Sequence, residues 1–383
     1  RATETALLPA VLRRGCRRQP TIARIAAFLE NLYGASCGSD VGKSGERHIL
    51  SFSLDVVNDR FVPRGGKVMS EGVRFLSRLL MQPVRQGKGL SREFVNGEKE
   101  NLRRLIEALV NDRAAYAYER CIRIMCEGEP FARYEYGRVE DLPAIDADSL
   151  AAFHREVLET APVEIFVAGD VSPSAMEKLF RGAFPWKRRN PVPVPAPILT
   201  PAPPAVRETI EKMEVEQGHL VIGARTGVTW ADDGVFALLF ANGILGGFPH
   251  SKLFRNVRER EGLAYAAGSS TDNAKGLMFL NAGIDPAKVE PAVRVIREQL
   301  DALKQGEISD EEMDKTRASL VNRVRSREDS PSSKVAWFHE LNTYGRRMTA
   351  GEAVARYEGL SRDDVVAAAR RVALDTVYFL TRP

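Results

Sequence analysis

Residues Leu253 to Tyr265 read LFRNVREREGLAY, and this stretch sets the local architecture from which the rest of the chain is read. Helical spacing puts Leu253, Phe254, Val257 and Glu261 towards one side, with Arg258 one turn after Phe254 at the margin of the apolar face. Arg255 and Glu259 point the other way as solvated charges. Gly262 stops the helix and Tyr265 opens a strand. Taken alone, the two polar-tipped residues read as a surface arginine and a core tyrosine.

Outward from that stretch, the chain has 383 residues, too many for one ordinary core, and domains of roughly 100–200 residues predict two or three. Hydrophobic content of 44% and charged content of 28% are those of a globular protein, and no run of about 18 apolar residues exists to span a membrane. The first residues, RATETALLPAVLRRG, read as the inside of a domain, so an amino-terminal piece is expected to precede them. Prolines recur between Pro185 and Pro204, where extended polyproline geometry is favoured. The expected division is therefore 1–190, a linker at 191–208, and 209–383.

The two sides of that linker repeat one another. FSLDVVNDRF (52–61) leads to a helix ending FLSRLLMQ (75–82), after which Ser91 opens a long charged helix. LNAGIDPAKV (280–289) leads to VIREQLDALKQ (295–305), after which Ser309 opens another. Helices are predicted at about 20–33, 68–81, 91–119, 146–158, 232–245, 286–304, 309–328, 331–343 and 361–372, and one from Ser172. Strands are predicted in HILSFSLDVV, VEIFVAGDV, HLVIGARTGV, YAAGSST, LMFLNAGID and TVYFLT. This is an α+β fold made of two homologous α/β-sandwich halves, with mixed or antiparallel sheets covered by helices.

Several chemistries are excluded by spacing. GSDVGKS (Gly38–Ser44) ends like a phosphate loop, but three residues rather than four separate Gly38 from Gly42, and the surroundings are those of a glycine-rich hairpin or inter-strand loop. The five histidines include no i, i+4 pair; His154 and His339 lie on amphipathic helices as packed or surface residues. No G-x-S-x-G elbow is present, and no cysteine has an adjacent histidine. Cys16, Cys37, Cys121 and Cys126 fit no CxxC or zinc-ribbon spacing and read as reduced thiols, which suggests a cytoplasmic location. The net charge is +4, and carboxylates interleave with the arginines nearly everywhere, which argues against nucleic acid as a partner.

ILGGFPHSKLFRNVREREGLAY (244–265), with AGIDPAKVEPAV and EISDEEMDKTRASLVNRV after it, resembles the insulinase and mitochondrial processing peptidase family of zinc peptidases. The likeness extends over nearly the whole chain, and the family's duplicated α+β halves match those read above. Its zinc motif, H-x-x-E-H, would fall on Ala6, Leu7, Leu8, Pro9 and Ala10, so neither metal histidine (Ala6, Ala10) nor the general-base glutamate (Pro9) is present. The family's additional glutamate ligand would fall near Arg104 or Leu105, with Glu107 displaced by a turn. The opening segment is most similar to bacterial, non-catalytic members of the family that lack the motif.

The resemblance therefore implies no cofactor bound by this chain, zinc in a partner, and a heterodimer with an H-x-x-E-H sister subunit acting on a peptide substrate. Arg258 and Tyr265, spaced as in the family's non-catalytic subunits, would be the substrate-binding and oxyanion residues. The alternative is a proteolytically inert scaffold of the same fold, associated with elongation factor P modification or with maturation of modified peptides.

Overall fold

The computed structural model describes residues 1–63, 66–186 and 190–383. In chain order the elements are α1 (Ala2–Arg13), α2 (Ile22–Asn31), β1 (Ser36–Ser44), β2 (Arg47–Asp55), α3 (Val68–Met81), β3 (Arg85–Gln86), β4 (Gly89–Leu90), α4 (Arg92–Ala108), α5 (Arg113–Met125), α6 (Ala147–Thr160) and α7 (Pro173–Ala183). There follow β5 (Arg207–Lys212), β6 (Gly218–Arg225), α8 (Val235–Asn242), β7 (Ala264–Asp272), β8 (Leu277–Ile284), α9 (Val289–Gln305), α10 (Asp310–Arg327), α11 (Pro331–Thr343), α12 (Ala350–Gly359), α13 (Arg362–Arg370) and β9 (Ala373–Thr381). They form two compact units, one of Arg1–Ala108 with Arg133–Ala196 and one of Leu109–Ala132 with Pro197–Pro383.

In the first unit β1 and β2 make an antiparallel hairpin, in register from Ser36 opposite Asp55 to Ser44 opposite Arg47. The segment that ends like a phosphate loop is thus the strand β1 itself, turning at Gly45 with φ of 59°. Leu50 and Phe52, alternating on one face of β2, pack on a core of Leu7 and Leu8 from α1, Leu102 from α4 and Leu150 from α6. The strand expected in VEIFVAGDV does not form. Its alternation is strand-like, but residues 162–168 take no regular secondary structure, and Val163, Ile165 and Val167 stay 41–46% exposed.

The second unit holds a five-stranded mixed sheet in the order β5-β9-β6-β8-β7, with β5 and β9 parallel and the other neighbours antiparallel. One face carries Leu220, Ile222 and Leu280 against Phe236, Val295 and Leu320 of the helical layer. The other face carries Val221, Phe279 and Tyr378 against Cys121, Ile122 and Met125 of α5. Covered on both sides, β6 is buried along almost its whole length rather than at alternate residues.

That second cover exists because the long helix expected over 91–119 breaks in two. Leu109–Asn111 tightens into a 3₁₀ turn, and extended Asp112 accepts a bond from Ala115 N at 3.0 Å, starting α5 afresh. Residues 109–132 thereby belong with the carboxy-terminal sheet, although they precede the proline-rich segment by more than fifty residues.

The repeat read from sequence is visible in local geometry. After β2, Asn58 caps a 3₁₀ turn that leads into α3; after β8, Asp285 caps a 3₁₀ turn that leads into α9. Ser91 Oγ then accepts from Phe94 N before α4, and Ser309 with Glu312 forms a reciprocal capping box before α10.

A buried charge network fastens α5 and the chain after it to the sheet. Asp375 on β9 is wholly buried and accepts from Arg225 Nε at 2.6 Å and from Arg207. Arg225 also donates to Met125 O at 2.6 Å and Glu129 at 2.8 Å, while Lys275, itself buried, pairs with Glu129 at 2.6 Å. Burial opposes charge on Glu129, but hydrogen bonds from Lys275 and Arg225 hold its carboxyl below the usual carboxylate range. Asp375→Ala strips Arg225 of its main counter-charge in a site only 5% exposed. Breaking a buried pair from one side costs about 3–5 kcal/mol, and urea unfolding should register a loss of that size.

His154 of α6, 2% exposed, uses Nε2 to donate to Leu80 O at 2.8 Å, while its Nδ1 is buried without a partner. Burial pushes its pKa below 6.5, and Arg85 adds to the effect. A histidine held neutral in the fold stabilises above its unfolded pKa, and that stability is lost as pH falls through 6.5 towards the lower folded value. Stability measured from pH 7 downwards should therefore decline below about 6.5, and His154→Gln should flatten that decline.

Candidate functional site

In the first unit the five positions of the degenerate motif lie on α1. Leu8 faces the core, while Ala6, Leu7, Pro9 and Ala10 line a cavity of about 190 Å³ whose other walls include Asp40 of β1 and Asn101, Leu102 and Leu105 of α4. Of the positions expected for a further ligand, only Leu105 reaches this cavity, and it has no donor atom. Arg104 is turned outward and bonded to Glu100 at 3.0 Å, and Glu107 is exposed.

The carboxylate that α4 does bring to the cavity is Glu98, two turns before the expected place. It is already occupied, accepting from Arg14 at 3.0 Å and from Asn101 at 3.1 Å. The residues present do not fit zinc: the three motif positions offer no nitrogen or oxygen side-chain donor, and Glu98 is neutralised by Arg14. Among the described residues no three His, Cys, Asp or Glu side chains are grouped to hold a metal. The face of α4 that carries Glu98, Leu102 and Leu105 at helical spacing was the signal that could have placed Glu98 here.

In the second unit the stretch Leu253 to Tyr265 departs from a regular α-helix. Phe254–Arg260 is a π-helical turn, with Glu261 N bonded to Asn256 O at 3.1 Å, five residues back. The wider turn keeps Leu253 and Val257 fully buried but rotates Glu261 out to solvent, so it does not share their face as the 3.6-residue period predicts. Arg258 is exposed, and its guanidinium lies over the Phe254 ring at 4.6 Å.

Anchors hold this turn on three sides. Lys252 Nζ is buried against Glu312 at 3.0 Å, and Asn256 donates to Gln299 of α9 at 2.5 Å. Lys288 Nζ donates to Gly262 O at 3.2 Å, where the chain takes φ of 58° that glycine allows without strain. A second glycine is needed at 246, because a Cβ there would stand 2.4 Å from Ser269 N of β7.

Tyr265 is not a core tyrosine. Register slips between Ala264 and Ala266 on β7, the last strand of the sheet, so Tyr265 is the extra residue of a β-bulge and is 71% exposed. Its hydroxyl makes no hydrogen bond among the described residues. The arrangement offers one planar cationic fork and one phenolic donor, both open to a ligand and neither committed within the fold.

The four thiols are unpaired, and burial pushes Cys121 and Cys126 each up to about 12, which removes them as nucleophiles. Among the described residues no helix is long and apolar enough to cross a membrane.

The α/β architecture, with apolar side chains where the resemblance expects zinc ligands, is that of a peptidase-fold protein. Residues 144–320 match the family described as the Peptidase M16 inactive domain. The chain is 31% identical over 378 residues to the "Probable inactive metalloprotease YmfF" of Bacillus subtilis, covering 99% of this chain and 88% of that protein. It superposes on a conserved protein from Enterococcus faecalis with a TM-score of 0.93 at 31% identity, over 100% of this chain and 90% of that one. An M16 inactive domain from Pseudomonas fluorescens shares the fold at a TM-score of 0.80 and 17% identity, over 98% of this chain and 88% of that one. The chain belongs to the M16 peptidase family.

Neither Arg258 nor Tyr265 carries weight in the fold, given their exposure. Arg258→Ala and Tyr265→Phe should each shift unfolding free energy by no more than about 0.5 kcal/mol. Urea titration of the two variants beside the parent chain checks this.

Proposed function

We propose that this chain is the non-catalytic, substrate-binding subunit of a heterodimeric zinc endopeptidase, supplying Arg258 and Tyr265 to the zinc site of an H-x-x-E-H sister subunit. The observation that carries the reading is a division of labour within one sequence. The motif positions Ala6, Pro9 and Ala10 have no donors, while an uncommitted arginine and tyrosine are held out to solvent on an anchored turn and a β-bulge. The related protein of Bacillus subtilis bears a name that calls it inactive, in keeping with this assignment.

The chemistry follows from the side chains. The Arg258 fork would take a main-chain carbonyl or a carboxylate of the bound peptide with two parallel N–H donors, and its stacking on Phe254 limits the rotamer freedom lost on doing so. The Tyr265 hydroxyl would donate to the oxyanion that develops on the scissile carbonyl as the tetrahedral intermediate forms. Metal, attacking water and general base all belong to the sister chain, and the assembly is placed in the cytoplasm.

The test is reconstitution with the H-x-x-E-H sister chain and a peptide substrate. Tyr265→Phe should lower kcat by about 10²–10³ with little change in KM, the cost of one oxyanion donor. Arg258→Lys should raise KM more than it lowers kcat, because it keeps the charge but loses the fork. Turnover unaltered by Tyr265→Phe would leave an inert scaffold of the same fold as the better reading.

A further inference from the structure

The interleaving of charges read from the whole sequence fails in two places. Residues 5–29 and 72–92 hold five cations each and no Asp or Glu, in a chain whose net charge is only +4. Both stretches lie in the first unit, and the fold joins them. Cys16 bridges Pro83, and Arg17 N donates to Gln82 O at 2.9 Å, which seats the turn after α1 against the end of α3.

Six cations gather around that seam. Arg17 and Arg18 come from the turn, Arg74 and Arg78 from successive turns of α3, and Arg85 and Lys88 from the β3–β4 hairpin that follows it. All are exposed except Arg78, which is half-buried. Burial pushes the Arg78 guanidinium below its ordinary value, and the charges of Arg18 and Arg74 push the same way, so these three groups feel one another. Its Nε is buried without a partner.

Glu71, one turn before Arg74, and Asp148, which lies against Gly89, stand at the margins. Among the described residues, none of the six cations forms an ion pair with any carboxylate. Like charges left together at a surface destabilise the fold that holds them, so an external counter-charge is the natural complement.

We propose that the surface formed by Arg17, Arg18, Arg74, Arg78, Arg85 and Lys88 is a docking site for a carboxylate-rich segment of a partner protein. Five of the six are arginines, whose planar forks match carboxylate geometry. Single-stranded nucleic acid needs exposed aromatic rings on which bases stack, and Phe75, the aromatic residue of α3, is wholly buried. An anionic membrane needs an apolar face to insert, and Val73, Leu76 and Leu79 of α3 are turned into the core. This surface is independent of Arg258 and Tyr265, and its fate does not depend on the peptidase reading.

The experiment titrates the full chain against a fluorescein-labelled oligoglutamate peptide by anisotropy across a salt series. Parallel arms use single-stranded DNA of equal charge and phosphatidylglycerol vesicles. Binding of the peptide that weakens with salt is expected, and Arg18→Glu/Arg74→Glu/Arg85→Glu should reduce it by at least about tenfold. The milder Arg18→Gln/Arg74→Gln, read beside the circular dichroism of the parent, gives a smaller loss in the same direction and guards against misfolding. Arg294→Glu on α9 of the other unit should leave binding unchanged. No binding of the peptide, binding indifferent to the reversals, or preference for DNA or vesicles over the peptide would each overturn the proposal.

Discussion

The second unit depends on Asp375. Placing a carboxylate with no solvent exposure in the centre of a sheet is unfavourable unless counter-charges and hydrogen bonds surround it. Arg207 and Arg225 supply them, and both guanidinium groups also satisfy carbonyls at the end of α5, Ile124 O and Met125 O. One buried anion thus recruits two cations, and those cations recruit the helix that closes the second face of the sheet. Lys275 and Arg225 extend the same bonds to Ile198 O and Thr200 O, so the later part of the proline-rich segment is held by the network as well.

A sheet covered on both faces is a rigid support, and the candidate site uses that rigidity at its margin. β7 is the last strand, where a bulge can turn a side chain outward at little cost to the ladder. The preceding π-helical turn is held by the buried Lys252–Glu312 pair, and Glu312 at the same time caps α10. Arg258 and Tyr265 are therefore displayed from a place that the core controls closely without enclosing it.

Much of this was legible in sequence, and the exceptions have physical causes. Apolar spacing predicts the helices over 68–81 and 331–343, and short apolar or small-residue runs bounded by turn residues locate β6, β7 and β8. The break at Asp112 was missed because the apolar period continues across it, although an Asp after Asn111 is a start signal. The strand expected in VEIFVAGDV is not formed, because alternation reports a residue pattern and does not by itself specify a ladder of backbone hydrogen bonds. At the candidate site, Arg258 and Tyr265 are singled out by the family resemblance alone, and the π turn and the bulge that expose them arise from one-residue shifts in hydrogen bonding that no period records. Glu98 is not marked by the expected position of a ligand, because it shares the cavity-facing side of α4 with Leu102 and Leu105 but lies two turns before that position. The basic surface escaped because its two halves are more than forty residues apart and only a bridge between Cys16 and Pro83 unites them.

The cavity beside α1 also bears on how the chain can change over time. Pro9 sits inside the helix, where it forgoes a backbone hydrogen bond, and Arg14 has claimed Glu98. A single histidine placed at Ala6 or Ala10 would set an imidazole in a cavity lined by Leu102 and Leu105, with no second imidazole beside it and with Glu98 held by Arg14, and would lose apolar packing. Each one-residue step back towards metal binding runs uphill, and only several together could repay the cost. The apolar packing of α1 therefore acts as a ratchet against the gain of a metal site by single substitutions.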